Sequence, residues 1–160
     1  MTLPAVKDRD QNNNQTTSMR LKTLIDTKTF ALTLVKKLPK PPIIGLIGPL
    51  GAGKTTLVKY IIKFLSNQTK ATSPTFVWLK TYPISKQGFK RLHHVDCYRI
   101  NKPDPELINT INMCQQDKKA ITIIEWANRI RPWLYPKTTI LNIKINPDKS
   151  RSLTRSKLKN

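Results

Sequence analysis

The sequence predicts a single α/β domain in which one mixed sheet, parallel at its centre and antiparallel at its edges, packs against flanking helices. First, an apolar run at residues 43–47 leads through a glycine-rich segment into residues 55–65, whose apolar side chains recur at helical spacing. Second, residues 121–124 are a buried-strand run, which we expect to lie parallel to residues 43–47. Third, residues 140–145 largely alternate apolar and polar side chains, which is typical of an antiparallel edge strand with one solvent-exposed face. The 160 residues suit one domain.

The N-terminal part predicts an extension and then a helix. Residues 1–20 are polar and contain an Asn-Gln run, so we expect a disordered extension before a domain spanning residues 21–147. Asp26 or Thr27 can cap a helix whose apolar side chains share one face, and the prolines at 39, 41 and 42 end it. That face consists of Phe30, Ala31, Leu34, Val35 and Leu38.

The C-terminal half predicts a hairpin, a helix, two strands and a tail. Residues 75–82 are rich in strand formers, residues 84–90 suggest a turn around Gly88, and residues 91–98 suit the hairpin partner. A helix is expected over residues 103–116. Residues 148–160 carry five basic side chains, and few apolar ones, so we expect a flexible basic tail.

The charge of the chain favours anionic partners but has a second explanation. The net charge is +20 and the isoelectric point is about 10.3, which suits nucleic acid, nucleotides or acidic proteins. However, Lys outnumbers Arg by 21 to 8, and Ile and Asn are abundant. This composition is also typical of proteins from AT-rich genomes, so both explanations stay open.

The remaining composition predicts a cytoplasmic protein. Cys97 and Cys114 lack the C-x-x-C spacing of zinc and redox motifs. No apolar run reaches the length of a membrane span, and the N-terminal residues lack the apolar stretch of a signal peptide. We therefore expect no membrane partner.

The glycine-rich segment is a phosphate-binding motif. Residues 48–55 read Gly-Pro-Leu-Gly-Ala-Gly-Lys-Thr and match G-x-x-x-x-G-K-[ST]. The strand before it and the helix after it are the context the motif requires, because backbone N–H groups and the helix N-terminus then surround an anion. In this motif Lys54 would reach the outer phosphates of a nucleotide, and the Thr55 hydroxyl would bind Mg²⁺.

A carboxylate is needed to complete such a magnesium site. Two acids end apolar strands, Glu125 after residues 121–124 and Asp96 after residues 92–95. Ligand sites of open α/β sheets lie at the carboxyl ends of strands. Glu125 therefore suits the magnesium-binding acid best, and Asp96 either binds metal or orients the attacking water. His93 and His94 are adjacent in a strand and point to opposite faces, so we interpret them as ordinary strand residues.

Four motifs together resemble the bacterial TsaE (YjeE) family of P-loop ATPases, which is needed to form threonylcarbamoyladenosine in tRNA. They are residues 48–56, 73–76 (Ser-Pro-Thr-Phe), 94–99 (His-Val-Asp-Cys-Tyr-Arg) and 124–126 (Ile-Glu-Trp). The resemblance covers about residues 24–146.

The resemblance implies a P-loop domain that binds ATP or ADP with Mg²⁺. Thr55 and Glu125 would bind the metal, Asp96 would be needed for hydrolysis together with Lys54 and Glu125, and residues 73–75 would form a switch-type segment. It also implies partners that resemble the threonylcarbamoyl-transferase subunits TsaD and TsaB, with tRNA bound indirectly or weakly through basic surface. The residues implied at the nucleotide are Gly48, Pro49, Leu50, Gly51, Ala52, Gly53, Lys54, Thr55, Thr56, Asp26, Thr29, Trp126 and Arg151.

Two other functions compete with this hypothesis. A P-loop small-molecule kinase would share the glycine motif, but such kinases usually need an Arg-bearing lid, and no Arg-rich segment occurs between residues 56 and 120. A non-enzymatic RNA-binding module would use the positive charge alone, and its RNA affinity would not depend on Lys54.

Overall fold

The computed structural model describes residues 17–66 and 78–159, which form one seven-stranded sheet with helices on both faces. The sheet order is β1-β7-β6-β2-β5-β4-β3. In chain order the elements are β1 (Thr17–Leu21), α1 (Leu24–Lys36), β2 (Ile43–Ile47), α2 (Lys54–Leu65), β3 (Leu79–Lys86), β4 (Phe89–Asp96), α3 (Pro105–Gln116), β5 (Ala120–Glu125), a 3-10 helix (Ala127–Trp133), β6 (Thr139–Ile145) and β7 (Arg151–Lys157).

The strand directions confirm the predicted mixed sheet. Strands β6, β2, β5 and β4 are parallel neighbours, whereas β3 pairs antiparallel with β4, and β7 pairs antiparallel with both β6 and β1. The predicted edge position of residues 140–145 is wrong, because β6 lies between β2 and β7. The exposed residues of β6, Lys144 and Ile145, lie at the end of the strand.

Two apolar cores hold the helices against the sheet. Helices α1 and α2 pack on one face, where Leu34 and Ile61 meet strand residues such as Ile44 and Ile123. Helix α3 and the 3-10 helix pack on the other face. Strand β5 is buried along its whole length because both of its faces are covered, which explains its unbroken apolar run.

The two predicted terminal segments are both corrected. Residues 17–21 form β1 rather than part of a disordered extension, and residues 1–16 lie outside the described residues. The predicted flexible tail contains β7, and the domain therefore does not end at residue 147. Strand β7 is ordered by its ladders to β6 and β1 and by Leu153, which is buried in the core, since sparse apolar residues suffice when two neighbours supply hydrogen bonds.

Local boundaries also differ from the sequence-based expectations. Thr23, rather than Asp26 or Thr27, caps α1, and Asp26 completes a capping box as its N3 residue. Strand β3 continues to Lys86, so the hairpin turn shortens to Gln87 and Gly88, both at positive φ. The first part of the predicted strand, residues 75–77, lies outside the described residues.

The two cysteines are free and buried, as a structural role requires. Burial, with a smaller contribution from Asp96, raises the pKa of Cys97 to about 12, and burial next to Asp117 raises the pKa of Cys114 to about 11. The thiolate is the reactive form, and it is scarce below the raised pKa. We therefore expect iodoacetamide at pH 8 to leave both thiols unmodified in the folded protein and to label both in denaturant, as counted by mass spectrometry. Labelling of the native protein at the rate of free cysteine would contradict the burial.

In residues 17–66 and 78–159, no helix combines the length and the apolar character that crossing a membrane requires.

Candidate functional site

The glycine loop between β2 and α2 needs glycine for two different reasons. At Gly48 a Cβ would lie 2.3 Å from the Ile143 carbonyl oxygen, so only glycine fits against β6. Gly53, at φ 98°, is the N-cap of α2 and has no side chain to satisfy the first N–H groups of the helix. These N–H groups, with the positive end of the helix dipole, are therefore available to an anion.

Lys54 is held over the loop in a site nearly closed to solvent. Its Nζ donates to the carbonyl oxygens of Gly48 and Pro49, each at 2.8 Å, and the side chain is 5% exposed. Desolvation lowers the pKa of Lys54, whereas the charges of Glu125 and Asp96 act in the opposite direction. An incompletely solvated ammonium group interacts strongly with a bound anion.

Trp126 covers this ammonium group. The Lys54 Nζ lies 3.9 Å from the centre of the indole ring, and the Arg129 guanidinium carbon lies 5.7 Å from it. The Tyr98 ring packs against the indole with centroids 5.0 Å apart. Trp126 itself adopts φ 57°, which is uncommon for a bulky residue and is typical of functional positions. The turn after β5 thus places the Trp126 ring beside the glycine loop, and its contact with a nucleotide stays a prediction.

Thr55 and Glu125 meet at the carboxyl ends of the parallel strands. The Thr55 hydroxyl donates to Glu125 Oε2 at 2.8 Å, linking the first turn of α2 to the end of β5. The other carboxylate oxygen, Oε1, lies 2.8 Å from His94 Nε2. Glu125 and His94 are each 1% exposed, and the Nδ1 of His94 has no hydrogen-bond partner.

Asp96 is the register partner of Glu125 in the neighbouring strand β4. Paired residues of neighbouring strands point to the same face, so both carboxylates lie on the side of α2. Oδ1 of Asp96 accepts the Tyr98 N–H at 2.9 Å, which fixes the carboxylate at the rim. The sequence-predicted pair of acids is therefore brought together.

Two cavities meet along the glycine loop. The front cavity, about 320 Å³, lies between the loop and the strand ends, and the rear cavity, about 250 Å³, lies between the loop and α1. Gly51, Gly53 and Thr56 line both. The front cavity is lined by Leu50, Gly51, Gly53, Lys54, Thr55, Thr56, Asp96, Tyr98, Glu125 and Trp126. The rear cavity is lined by Leu21, Lys22, Thr23, Leu24, Thr27, Gly51, Ala52, Gly53, Thr56, Leu57, Ile143 and Arg151.

The remaining predicted site residues fall into two groups. Arg151 begins β7, lines the rear cavity and donates to the Gly51 carbonyl oxygen at 3.3 Å. Asp26 and Thr29 line neither cavity. The Asp26 carboxylate accepts from the N–H groups of Lys22 and Thr23, both at 2.8 Å, so it stabilises the helix start beside the rear cavity.

Sequence reasoning missed His94 and Tyr98 as members of the site. His93 faces the other way, toward Thr81 and Asp117, as the alternation of a strand predicts. His94, two residues before Asp96, lies on the same face as that acid and therefore reaches Glu125. The two-residue spacing between His94 and Asp96 was the feature of the sequence that could have identified His94 as part of the site.

Comparisons with known proteins identify the family of this chain. The sequence profile described as threonylcarbamoyl adenosine biosynthesis protein TsaE matches residues 21–156. A protein from Rickettsia prowazekii, named tRNA threonylcarbamoyladenosine biosynthesis protein TsaE, is 35% identical over 121 residues, 75% of this chain and 81% of the relative. A protein of the same name from Mycobacterium tuberculosis is 32% identical over 106 residues, 64% of this chain and 63% of the relative.

A solved structure matches the fold. The crystal structure of Bacillus subtilis YdiB superposes with a TM-score of 0.69 at 24% identity, covering 92% of this chain and 88% of that one. The sequence profile extends into β7, in agreement with the place of that strand in the sheet. From a profile match over most of its length, together with relatives above 30% identity, the chain belongs to the TsaE family of threonylcarbamoyl adenosine biosynthesis proteins.

Proposed function

We propose that this protein is a Mg²⁺-dependent ATPase that serves the formation of threonylcarbamoyladenosine in tRNA. The observation that carries the proposal is the 2.8 Å contact between the Thr55 hydroxyl and Glu125, at the N-terminus of a helix preceded by a glycine loop. A hydroxyl and a carboxylate at this position are the protein ligands that a phosphate-bound Mg²⁺ uses.

The donor set suits a metal delivered with a nucleotide. Among the described residues, no three His, Cys, Asp or Glu side chains converge into a self-contained metal site. Mg²⁺ typically keeps several waters and takes one or two carboxylates plus substrate phosphates, so Thr55 and Glu125 are sufficient. Open space above Gly51 and Gly53 leaves room for the phosphates, since a Cβ at either residue would contact nothing within 4 Å.

We expect the two cavities to hold different parts of a bound nucleotide. Lys54 and the first N–H groups of α2 would bind phosphates in the front cavity. The rear cavity, lined by Thr27, Leu24 and Arg151, offers apolar and hydrogen-bonding groups for the nucleoside. Arg151 also lies at the glycine loop, where its charge favours the phosphate chain.

Three residues of the front cavity, Lys54, Trp126 and Asp96, have a defined part in the proposed hydrolysis. Bound Mg²⁺ would neutralise phosphate charge and orient the phosphates. Lys54 stabilises the charge that develops between the outer phosphates, and Trp126 excludes water from that ammonium group. Asp96, fixed by the Tyr98 N–H, is placed at the rim to orient the attacking water.

The substitution Glu125→Gln tests the proposal. We expect ATP affinity without Mg²⁺ to stay within about threefold, and Mg²⁺-dependent hydrolysis to fall about 100-fold or more, because the amide gives the cation no charge compensation. Calorimetry and phosphate release measure the two quantities. Asp96→Asn is the matched control: if it abolished the Mg²⁺ dependence of binding while Glu125→Gln did not, the two roles would be exchanged. Wild-type protein that binds no ATP would overturn the proposal.

His94 provides a further prediction about the same site. Its Nε2–H holds one oxygen of Glu125, leaving the other for Thr55. His94→Leu should weaken the Mg²⁺-dependent gain in ATP affinity about tenfold, as loss of an outer hydrogen bond to a metal ligand does. His94→Gln, which keeps a donor near Nε2, should restore most of that gain. His93→Leu, on the opposite face, should change it little, and an equal effect of the two leucine variants would contradict the assignment.

The partner assignment has its own test. We propose that the protein acts with subunits resembling the threonylcarbamoyl transferases TsaD and TsaB, and that hydrolysis resets those partners. Co-purification from cells should recover such subunits with the wild-type chain. Labelled phosphate transferred from ATP to a nucleoside panel would instead support a small-molecule kinase.

A further inference from the structure

A row of lysines lies at the strand ends on the side of the sheet opposite the glycine loop. Each strand from β2 to β7 has an exposed lysine within three residues of its end at this edge. The parallel strands begin there and the antiparallel strands end there, so residues far apart in sequence are brought side by side. We name this set the basic edge; it consists of Lys40, Lys86, Lys90, Lys119, Lys137 and Lys157.

Acidic side chains are nearly absent from the basic edge. Of the described acids, only Asp117 lies there. Its Oδ2 atom is 2.9 Å from Arg91 Nε and 3.2 Å from His93 Nε2. The others lie toward the glycine loop, at helix starts, at the ends of β4 and β5, or in the turn after β6. None of the six lysines forms an ion pair with a described acid. A compositional bias toward lysine would raise the positive charge over the whole surface, but it would not explain why the acids lie on the opposite side.

Exposed apolar side chains are fewer than lysines at the basic edge. The most exposed aliphatic side chains, Leu24, Ile25 and Leu50, lie near the glycine loop. Toward the basic edge, Met113 in the last turn of α3 and Trp133 at the end of the 3-10 helix are exposed. A surface that inserts into a membrane needs an apolar face beside its cations. Two exposed apolar side chains against six lysines suit a hydrated polyanion better.

A groove at one end of the row suits a phosphodiester chain. It lies between the end of the 3-10 helix and the end of β7 and has a volume of about 710 Å³. Three cations line it among apolar and hydroxyl side chains: the lining residues are Arg131, Lys157, Lys159, Ser156, Pro132, Leu134, Pro136 and Leu158. From β7 to β3 the row crosses five strand spacings, about 24 Å at ~4.8 Å each. A row of this length can contact several successive phosphates of a nucleic-acid backbone.

We propose that the basic edge binds the phosphate backbone of RNA without reading its sequence. The family's place in tRNA modification makes a structured RNA the fitting polyanion. The binding surface lies at the opposite edge of the sheet from Lys54 and Glu125, so RNA and nucleotide do not compete for the same residues. The inference does not rest on ATP hydrolysis.

The test compares two fourfold variants of equal charge. The edge variant carries Lys90→Glu, Lys119→Glu, Lys137→Glu and Lys157→Glu. The control variant carries Lys28→Glu, Lys59→Glu, Lys102→Glu and Lys144→Glu, which are exposed lysines outside the basic edge. Both lose the same net charge, so any difference between them reports the location of the charge. Fluorescence anisotropy with an unmodified tRNA transcript gives Kd across a series of KCl concentrations.

We expect the edge variant to bind tRNA at least about 30-fold more weakly at 100 mM KCl, with a salt slope shallower by about 3, since each lost phosphate contact removes ~0.7–0.9 from the slope. The control variant should lose less than about fivefold. Equal losses in the two variants, or no loss in either, would overturn the proposal. If the edge variant fails to fold, the same four lysines changed to Gln give the same comparison against a matched Gln control. Loss of binding to phosphatidylserine vesicles, with RNA binding unchanged, would assign the edge to membranes instead.

Discussion

Deleting residues 149–160 should destabilise the whole domain, with a fall of at least about 10 °C in the unfolding midpoint or loss of soluble protein. The deletion removes β7, which pairs with β6 on one side and β1 on the other, and it removes the buried side chain of Leu153. Truncating a buried leucine to alanine alone costs about 2–5 kcal/mol. Strand β1 also loses its partner in the sheet, and β6 becomes an unprotected edge.

Two variants separate this expectation from a general effect of truncation. Leu153→Ala keeps the backbone ladder, and it should lower the midpoint by about 5–15 °C, using ~2–4 °C per kcal/mol for a domain of this size. Deleting only residues 159–160, which follow the strand, should change the midpoint by less than about 2 °C. Thermal unfolding followed by circular dichroism measures all three. A full deletion as stable as the wild type would show that β7 contributes nothing to the fold.

Lys54→Ala should weaken ATP binding by about two orders of magnitude. The ammonium group is the buried cation at the loop, and removal of one partner from a buried charged contact costs about 2–5 kcal/mol. The loop carbonyls of Gly48 and Pro49 also lose their shared donor, which adds loop disorder to the loss of charge. Titration calorimetry with ATP and Mg²⁺ measures the affinity.

Lys59→Ala is the matched control, because Lys59 lies on the same helix but is exposed. It should leave the affinity within about twofold. The unfolding midpoint of Lys54→Ala distinguishes local from global damage: the midpoint should move by only a few degrees while binding is lost. Unchanged ATP affinity in Lys54→Ala would reject the phosphate-binding role of the glycine loop.

Much of the site was readable from the sequence because its chemistry is local. Residues 48–55 specify loop backbone, cation and hydroxyl within eight positions, and the flanking apolar patterns specify the strand and the helix. Glu125 and Asp96 could be selected since each ends an apolar strand, and parallel strands bring such ends to one edge. The register pairing of these two acids agrees with that reasoning.

Other features depended on contacts between distant segments. The order of residues 151–157 could not be read from their composition, because their stability comes from two neighbouring strands that lie elsewhere in the chain. His94 appeared ordinary because its partner, Glu125, is 31 residues away. Its role became visible only when β4 and β5 were aligned in register.

The sequence by itself determined the glycine loop, the parallel centre of the sheet and the two candidate acids, since these follow from short-range spacing and strand periodicity. The tertiary structure decided which charges share a surface. It divided the cations of residues 149–160 between two edges, with Arg151 at the glycine loop and Lys157 and Lys159 at the opposite side. The reason is that a β-strand carries its two ends about 20 Å apart, so a basic run that looks uniform in sequence serves two separate sites once it is paired.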